Sequence, residues 1–359
     1  MNWLAWSGMA FAVVRAAVSL LNVLKPSVLR RVSAQAVPVS VLIPARNEAR
    51  RIGVLLQALS EMQQEYREVL VLDDQSDDHT AEVVSAFSSQ NPGLRLIHGE
   101  ALPEGWNGKN WACHQLAQLA AGSYLLFLDA DVQVFPGFIG ALVAELERSK
   151  SAMVSVFPRQ EMKSVGEQIA IPLMLEVLLS LLPLFLVRKM RAPSLAAANG
   201  QCMLFRKEAY TAYLWHQRLR QAIAEDIAIA RHMKRAGLPV SVYLSDRISC
   251  RMYEDYGQAV SGFAKNITAM TGNDLLAMGY GLLMTVAPVF MGLLPVGAAL
   301  LWVLLEVCAV MLQCHLAAMN SGRQLLLLPL RRLTLLWVVM LALWKRYFSA
   351  HQWKGRRLT

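Results

Sequence analysis

The chain has 359 residues, 55% of them hydrophobic and only 17% charged, with a formal net charge of +9. That is length enough for two average domains and a composition too apolar for an ordinary soluble protein. The basic excess does not point to nucleic acid, because no zinc finger, helix-turn-helix or aromatic-basic RNA signature accompanies it. Five cysteines, Cys113, Cys202, Cys250, Cys308 and Cys314, form no CxxC pair and are odd in number, which argues against a disulfide framework or zinc site and for a reducing compartment.

In chain order, residues 3–24 are long and apolar enough to span a bilayer, although Arg15 interrupts them. Lys25, Arg30 and Arg31 follow, with no small-residue cleavage site before them, so an anchor is expected rather than a cleaved signal peptide. Residues 31–37 form a short linker. Val39, Val41, Leu42 and Ile43 predict a buried strand that stops at Pro44-Ala45-Arg46-Asn47-Glu48, since proline fits poorly in a sheet. Ile52, Leu55, Leu56, Leu59 and Met62 recur at helical spacing before a second strand over 69–72, which closes a βαβ unit. The carboxyl end of that strand carries Asp73-Asp74-Gln75-Ser76-Asp77-Asp78, where Asp77 or Asp78 is expected to cap a helix starting near Thr80. A strand over 94–97, a helix over 110–121 and a strand over 124–128 continue the alternation. The pattern predicts a mostly parallel, doubly wound α/β sheet with ligands at the carboxyl ends of its strands.

Three acidic groups sit at such ends or at a helix start. Asp129-Ala130-Asp131 places two carboxylates at alternate positions after a hydrophobic strand, able to face one hard cation that bridges phosphates. Glu225-Asp226 opens a helix that closes at Gly237-Leu238-Pro239; about 100° separates the two carboxylates around the axis, so they cannot serve equally. Between these groups, Gly105-Trp106-Asn107-Gly108-Lys109 is a glycine-bounded loop ahead of a helix, without the spacing of a Walker A loop.

Residues 169–187 are apolar apart from Glu176. They fit either a buried helix or, the preferred expectation, a helix lying at the membrane surface. From 275 to 318 the one charged residue is Glu306, so the stretch can supply two crossings of roughly 20 residues each, with Pro288 and Pro295 placed to kink or divide it. Residues 325–344 form a third candidate despite Arg331 and Arg332. It is expected to be either an inserted helix whose arginines reach an interface or a protein cavity, or an interfacial helix. Lys345, Arg346, Lys354, Arg356 and Arg357 follow. Basic clusters favour the cytoplasmic side, yet three crossings after a cytoplasmic domain would put the C-terminus outside.

Taken in order from residue 39 to 266, these motifs resemble the family-2 glycosyltransferases. Gly105-Trp106-Asn107-Gly108-Lys109-Asn110-Trp111-Ala112-Cys113-His114-Gln115, followed by Phe127-Leu128-Asp129-Ala130-Asp131, is similar to the membrane-bound branch that glycosylates carotenoid and hopanoid lipids. The resemblance implies a GT-A-type catalytic domain over 38–270, with an interfacial helix at 166–190. A membrane anchor over 1–30 would precede it, and membrane helices with a basic tail over 271–359 would follow. It makes Asp226 the catalytic base and Asp131 the ligand of Mg²⁺ or Mn²⁺. Pro44, Arg46, Glu48, Asp74, Lys109 and Asp129 become contacts to a nucleoside-diphosphate sugar, expected to be a UDP-sugar. Glu225, Arg251 and Lys265 are candidate diphosphate or acceptor contacts, and Asn199-Gly200-Gln201-Cys202-Met203-Leu204-Phe205-Arg206, similar to the family strand that passes under the acceptor site, is expected to matter through its backbone. The QxxRW motif of processive members is absent, which favours transfer of one sugar to a lipid hydroxyl or carboxyl group over a polysaccharide synthase. A non-catalytic membrane scaffold is the alternative from another class. Dehydrogenase chemistry is disfavoured because no GxGxxG follows the first strand. The expected location is the cell membrane, multi-pass, with the catalytic domain in the cytoplasm.

Overall fold

The computed structural model describes residues 2–30 and 36–348, together with 352–353 and 356–357. Arg31, Lys354 and most of the 31–37 linker lie outside the described residues. Contacts divide the chain into two compact units: Val28–Arg159 with Val187–Arg251 and Gln352–Thr359, and Met1–Ser27 with Gln160–Leu186 and Met252–His351. This division cuts across blocks bounded at 38 and 270, since residues 160–186 and 252–270 pack with the terminal apolar helices.

The first unit is built on an eight-stranded sheet. Its strands are β1 (Val39–Ala45), β2 (Glu68–Asp73), β3 (Leu94–His98), β4 (Tyr124–Leu128), β5 (Val132–Val134), β6 (Met153–Gln160), β7 (Cys202–Arg206) and β8 (Val240–Cys250), in the order β3-β2-β1-β4-β7-β6-β8-β5. The expected α/β sheet is therefore present, and its β3-β2-β1-β4 half is wholly parallel. Val41, Leu42, Ile43, Val69, Leu70 and Leu126 are fully buried, as a central parallel strand covered on both faces requires. Beyond β4 the pairing turns antiparallel, β7 against β4 and β6, and β5 against β8. The first strand does not stop at Pro44, which corrects the sequence expectation: it continues to Ala45, paired with Asp73. Pairing with β4 ends at Leu42, so the proline falls where β1 keeps only β2 beside it.

This topology positions the site. The strand order reverses between β1 and β4, and the carboxyl ends of β1, β2 and β4 meet at that switch point. Because β7 runs against β4, its leading residues 199–201 arrive at the same end, where Asp129 N donates to Gln201 O at 3.2 Å. Asp78 rather than Asp77 serves the helix Thr80–Ser88, accepting from Thr80 N at 3.0 Å. The helix Glu225–Arg235 ends on a Schellman pattern, with Gly237 N to Lys234 O at 3.0 Å and Leu238 N to Met233 O at 2.9 Å, and Gly237 at φ +76°. Gly237→Ala is expected to destabilise the protein by about 1 kcal/mol, since a Cβ disfavours the left-handed conformation. Thermal melting checks this, and an unchanged midpoint would contradict it.

The second unit is helical. Asn2–Leu24, Asp274–Leu293 and Val296–Leu316 are each long and apolar enough to cross a membrane. Residues 169–187 are not a helix laid on a surface. They fall in the helices Val165–Ala170, Pro172–Leu181 and Leu184–Lys189, and Leu173, Leu175, Glu176, Val177, Leu178, Leu179 and Ser180 are all buried. Enclosure by protein leaves little apolar face for a bilayer, so the buried reading replaces the interfacial one. Arg331 and Arg332, on the helix Leu328–Phe348, likewise turn into protein: Arg332 Nη1 lies 2.5 Å from Glu176 Oε1 and Arg331 is 2% exposed.

Candidate active site

Four carboxylates and one lysine meet at the carboxyl edge of the sheet. Lys109, on the first turn of the helix Gly108–Leu119, places its Nζ 2.8 Å from Asp129 Oδ1 at the end of β4 and 3.1 Å from Glu225 Oε1. Burial alone would lower its pKa, yet Asp129 and Glu225 hold the ammonium well above its ordinary value. Lys109, which the family resemblance makes a nucleotide contact, is thus clasped by two carboxylates. Beside it, Asp226 accepts from Gly200 N at 2.9 Å through Oδ2 and from Ile227 N at 2.7 Å through Oδ1. A Cβ on Gly200 would be a tight fit, 3.1 Å from Lys109 Nζ and 3.2 Å from Glu225 Oε1, so these side chains would have to give by a few tenths of an ångström.

Burial, reinforced by Glu225, pushes the Asp226 carboxyl up to about 7 against the hydrogen bonds from Ile227 and Gly200 and the charge of Lys109. Asp131 is pushed up to about 7 as well, by burial first and then by Asp129 and Glu48, with Arg51 and Lys109 opposing. Its Oδ2 lies 3.9 Å from Arg51 Nη1, while its buried Oδ1 has no hydrogen-bond partner. An unsatisfied hard oxygen among like charges fits a divalent cation. Among the described residues no group of three or more His, Cys, Asp or Glu converges as a metal cage. Mg²⁺ and Mn²⁺ sites completed by substrate phosphates and water do not need one.

Of the remaining sequence candidates, four lie at the ends of β1 and β2. Arg46 Nη1 donates to Asp74 O at 2.5 Å and lies 4.0 Å from Asp74 Oδ2; Asp74 is 2% exposed. The loop after β1 is fastened to the segment after β2 by Glu48 N to Thr80 Oγ1 at 2.8 Å and Ala49 N to Asp78 Oδ2 at 3.1 Å. Pro44, Arg46, Glu48 and Asp74 therefore share one end of two adjacent strands. Arg251 follows Cys250 at the end of β8. Lys265 belongs to the other unit, on the helix Tyr256–Thr271. Arg51, which carries no motif, sits beside Asp131, and residues 217–222 line an open pocket of about 530 Å³.

A switched α/β sheet with carboxylates gathered at its carboxyl edge defines a GT-A-type domain. Residues 40–214, just under half of the chain, match the model of glycosyl transferase family 2. Among curated relatives, a 4,4'-diaponeurosporenoate glycosyltransferase of Staphylococcus haemolyticus is 27% identical over 234 residues, 64% of this chain and 60% of the relative. The enzyme of the same description from Staphylococcus aureus strain USA300 is 28% identical over 238 residues, 65% of this chain and 61% of its own. The chain thus spans about three fifths of the length of these relatives. Among solved structures, a mannosyltransferase of Pyrobaculum calidifontis, in complex with GDP-Man and Mn²⁺, superposes with a TM-score of 0.57 at 17% identity, covering 96% of this chain and 99% of that one. At that identity the likeness is one of fold.

Proposed function

We propose that the protein transfers a single sugar, with inversion, from a nucleoside-diphosphate sugar to a lipid acceptor of the carotenoid or hopanoid kind. The observation that carries the reading is Asp226, half-buried and held by the Gly200 N–H beside the Lys109–Asp129 pair. In this reading Asp226 removes the proton of the acceptor hydroxyl while that oxygen attacks the anomeric carbon opposite the leaving diphosphate. A carboxylate raised toward 7 suits that role better than an ordinary one, because a base is most effective with a pKa near the working pH. Glu225 and Lys109 hold the edge of the site. Asp74, with Pro44, Arg46 and Glu48 around it, receives the nucleotide base, and a uracil imide N–H suits such an acceptor. Glu225 and Arg251 are candidates for diphosphate or acceptor contacts. Asp131, with Asp129 nearby, would hold Mg²⁺ or Mn²⁺, which neutralises charge on the departing diphosphate. The Mn²⁺ in the Pyrobaculum mannosyltransferase complex supports this choice of ion class.

The membrane assignment rests on the three apolar helices and the flanking charges. With the N-terminal helix and two of the later helices crossing, and Leu328–Phe348 held among protein by its arginines, the chain returns to the side of its catalytic domain. The cytoplasmic basic C-terminus then agrees with the positive-inside tendency.

The test is transfer from labelled nucleotide sugars to lipid extract by the purified protein, with and without a chelator. Transfer of one sugar, abolished by chelation and restored by Mg²⁺ or Mn²⁺, is the expected outcome; turnover that survives exhaustive chelation would overturn the metal assignment. The pH profile gives a second check. The base acts only when ionised, so kcat/KM should fall as the pH drops through about 7. An acid limb near the ordinary carboxylate value of about 4 would contradict the raised pKa.

A further inference from the structure

The base at Asp226 is four residues beyond residues 219–222, a segment with no regular structure of its own, and two asparagines, one at the N-cap of the helix Gly108–Leu119 and one in its first turn, grip that segment. Asn107 N donates to Arg220 O at 2.8 Å, and Asn107 Nδ2 donates to Ala222 O at 2.9 Å. Asn110 Nδ2 reaches three carbonyls, Leu219 O at 2.9 Å, Arg220 O at 3.2 Å and Ala222 O at 3.3 Å. Both side chains are buried, 7% and 1% exposed.

Their use is unusual on two counts. Asn107 occupies the N-cap of the helix Gly108–Leu119, where an asparagine ordinarily accepts from the first-turn amides, yet it makes no side-chain cap hydrogen bond and turns to Ala222 instead. Asn110 leaves its own buried Oδ1 without a partner while its amide serves the segment. A fold that forgoes a cap and tolerates an unsatisfied oxygen places the demand on the segment it holds. The grip also joins the two halves of the site from below: the helix that supplies Lys109 sets the carbonyls from which Glu225 and Asp226 follow.

We propose that Asn107 and Asn110 are positioning residues that fix Asp226 through residues 219–222. The proposal rests on the reading of Asp226 as base. Asn110→Leu removes the donor at similar volume and without charge. Asn107→Ser removes the reach to Ala222 while keeping a good N-cap residue and the backbone bond to Arg220.

In the full-length protein, each variant is expected to lower kcat about a hundredfold, the loss that accompanies a displacement near an ångström. Donor KM should stay within about twofold and the melting midpoint should stay near that of the wild type, as the preserved fold requires. Unchanged kcat in both variants would overturn the proposal. So would a fall in kcat matched by a rise in donor KM or a drop in melting midpoint in both, because general loosening would then account for it. Asp226→Asn run in parallel separates the two levels. Full turnover there removes the base and the proposal together, whereas an inactive Asp226→Asn beside fully active asparagine variants removes the proposal alone.

Discussion

Asp226→Asn should lower kcat by about a thousandfold while leaving donor KM within about twofold, the range expected when a positioned general base is lost. The substitution keeps the shape of the side chain and can retain one of the two hydrogen bonds from Gly200 N and Ile227 N. What it removes is the ability to take a proton. Because Asp226 makes its contacts to backbone amides rather than to Lys109, the Lys109–Asp129 and Lys109–Glu225 pairs should survive, and nucleotide binding with them. Steady-state kinetics on the purified variant decides the matter. A variant that keeps more than about a tenth of wild-type turnover would mean that the acceptor arrives already ionised, as a carboxylic acid does, and would remove Asp226 from the role of base.

Glu176→Gln should be severe for a different reason. In the helical unit, Glu176 Oε1 lies 2.8 Å from Arg15 Nη2 and 2.5 Å from Arg332 Nη1, and its Oε2 lies 3.7 Å from Arg331 Nη1. Glu306 supplies the other carboxylate, 2.5 Å from Arg15 and 2.9 Å from Arg332. Neutralising Glu176 would leave three arginine charges facing one carboxylate in a region that Gln313, Ser19 and Ser180 line with neutral hydrogen-bonding groups. Removing one partner of a buried ion pair costs about 3–5 kcal/mol, most of it the penalty of the uncompensated charge. Loss of folded protein in detergent is therefore expected. The exposed pair Arg346–Asp274, 2.9 Å apart, is the internal control, because breaking a pair with a half-exposed arginine should cost less than about 1 kcal/mol. Equal melting shifts for Glu176→Gln and Asp274→Asn would contradict the account.

These two sites also mark how far the sequence carried. The parallel half of the sheet was legible because Val39 to Ile43, residues 69–72 and residues 124–128 are apolar-rich runs, the last two ending at an aspartate, a local signal of strands buried on both faces. The antiparallel half was not, since β5 and β8 pair across more than a hundred residues of chain and β5 is only three residues long. In the same way, Arg15, Glu176, Glu306, Arg331 and Arg332 each stand out as lone charges in apolar stretches. That Arg15 meets Glu306 across 291 positions follows from tertiary packing and not from any local pattern. The acidic motifs named the site, but not the partners within it. The resemblance named Lys109 as a nucleotide contact, but no local pattern shows that it sits between Asp129 and Glu225. Asn107 and Asn110 were visible as motif residues, yet nothing in a run of eleven residues shows that their amides reach the segment before Glu225.

The measurement that bears most directly on the central claim is mass spectrometry of lipids from cells expressing the wild-type chain, the Asp131→Ala chain, the Asp226→Asn chain, or none. The account expects one lipid class to gain the mass of a single sugar with the wild-type chain and with neither variant. A lipid profile identical in all four cultures, or a ladder of successive sugars, would contradict it.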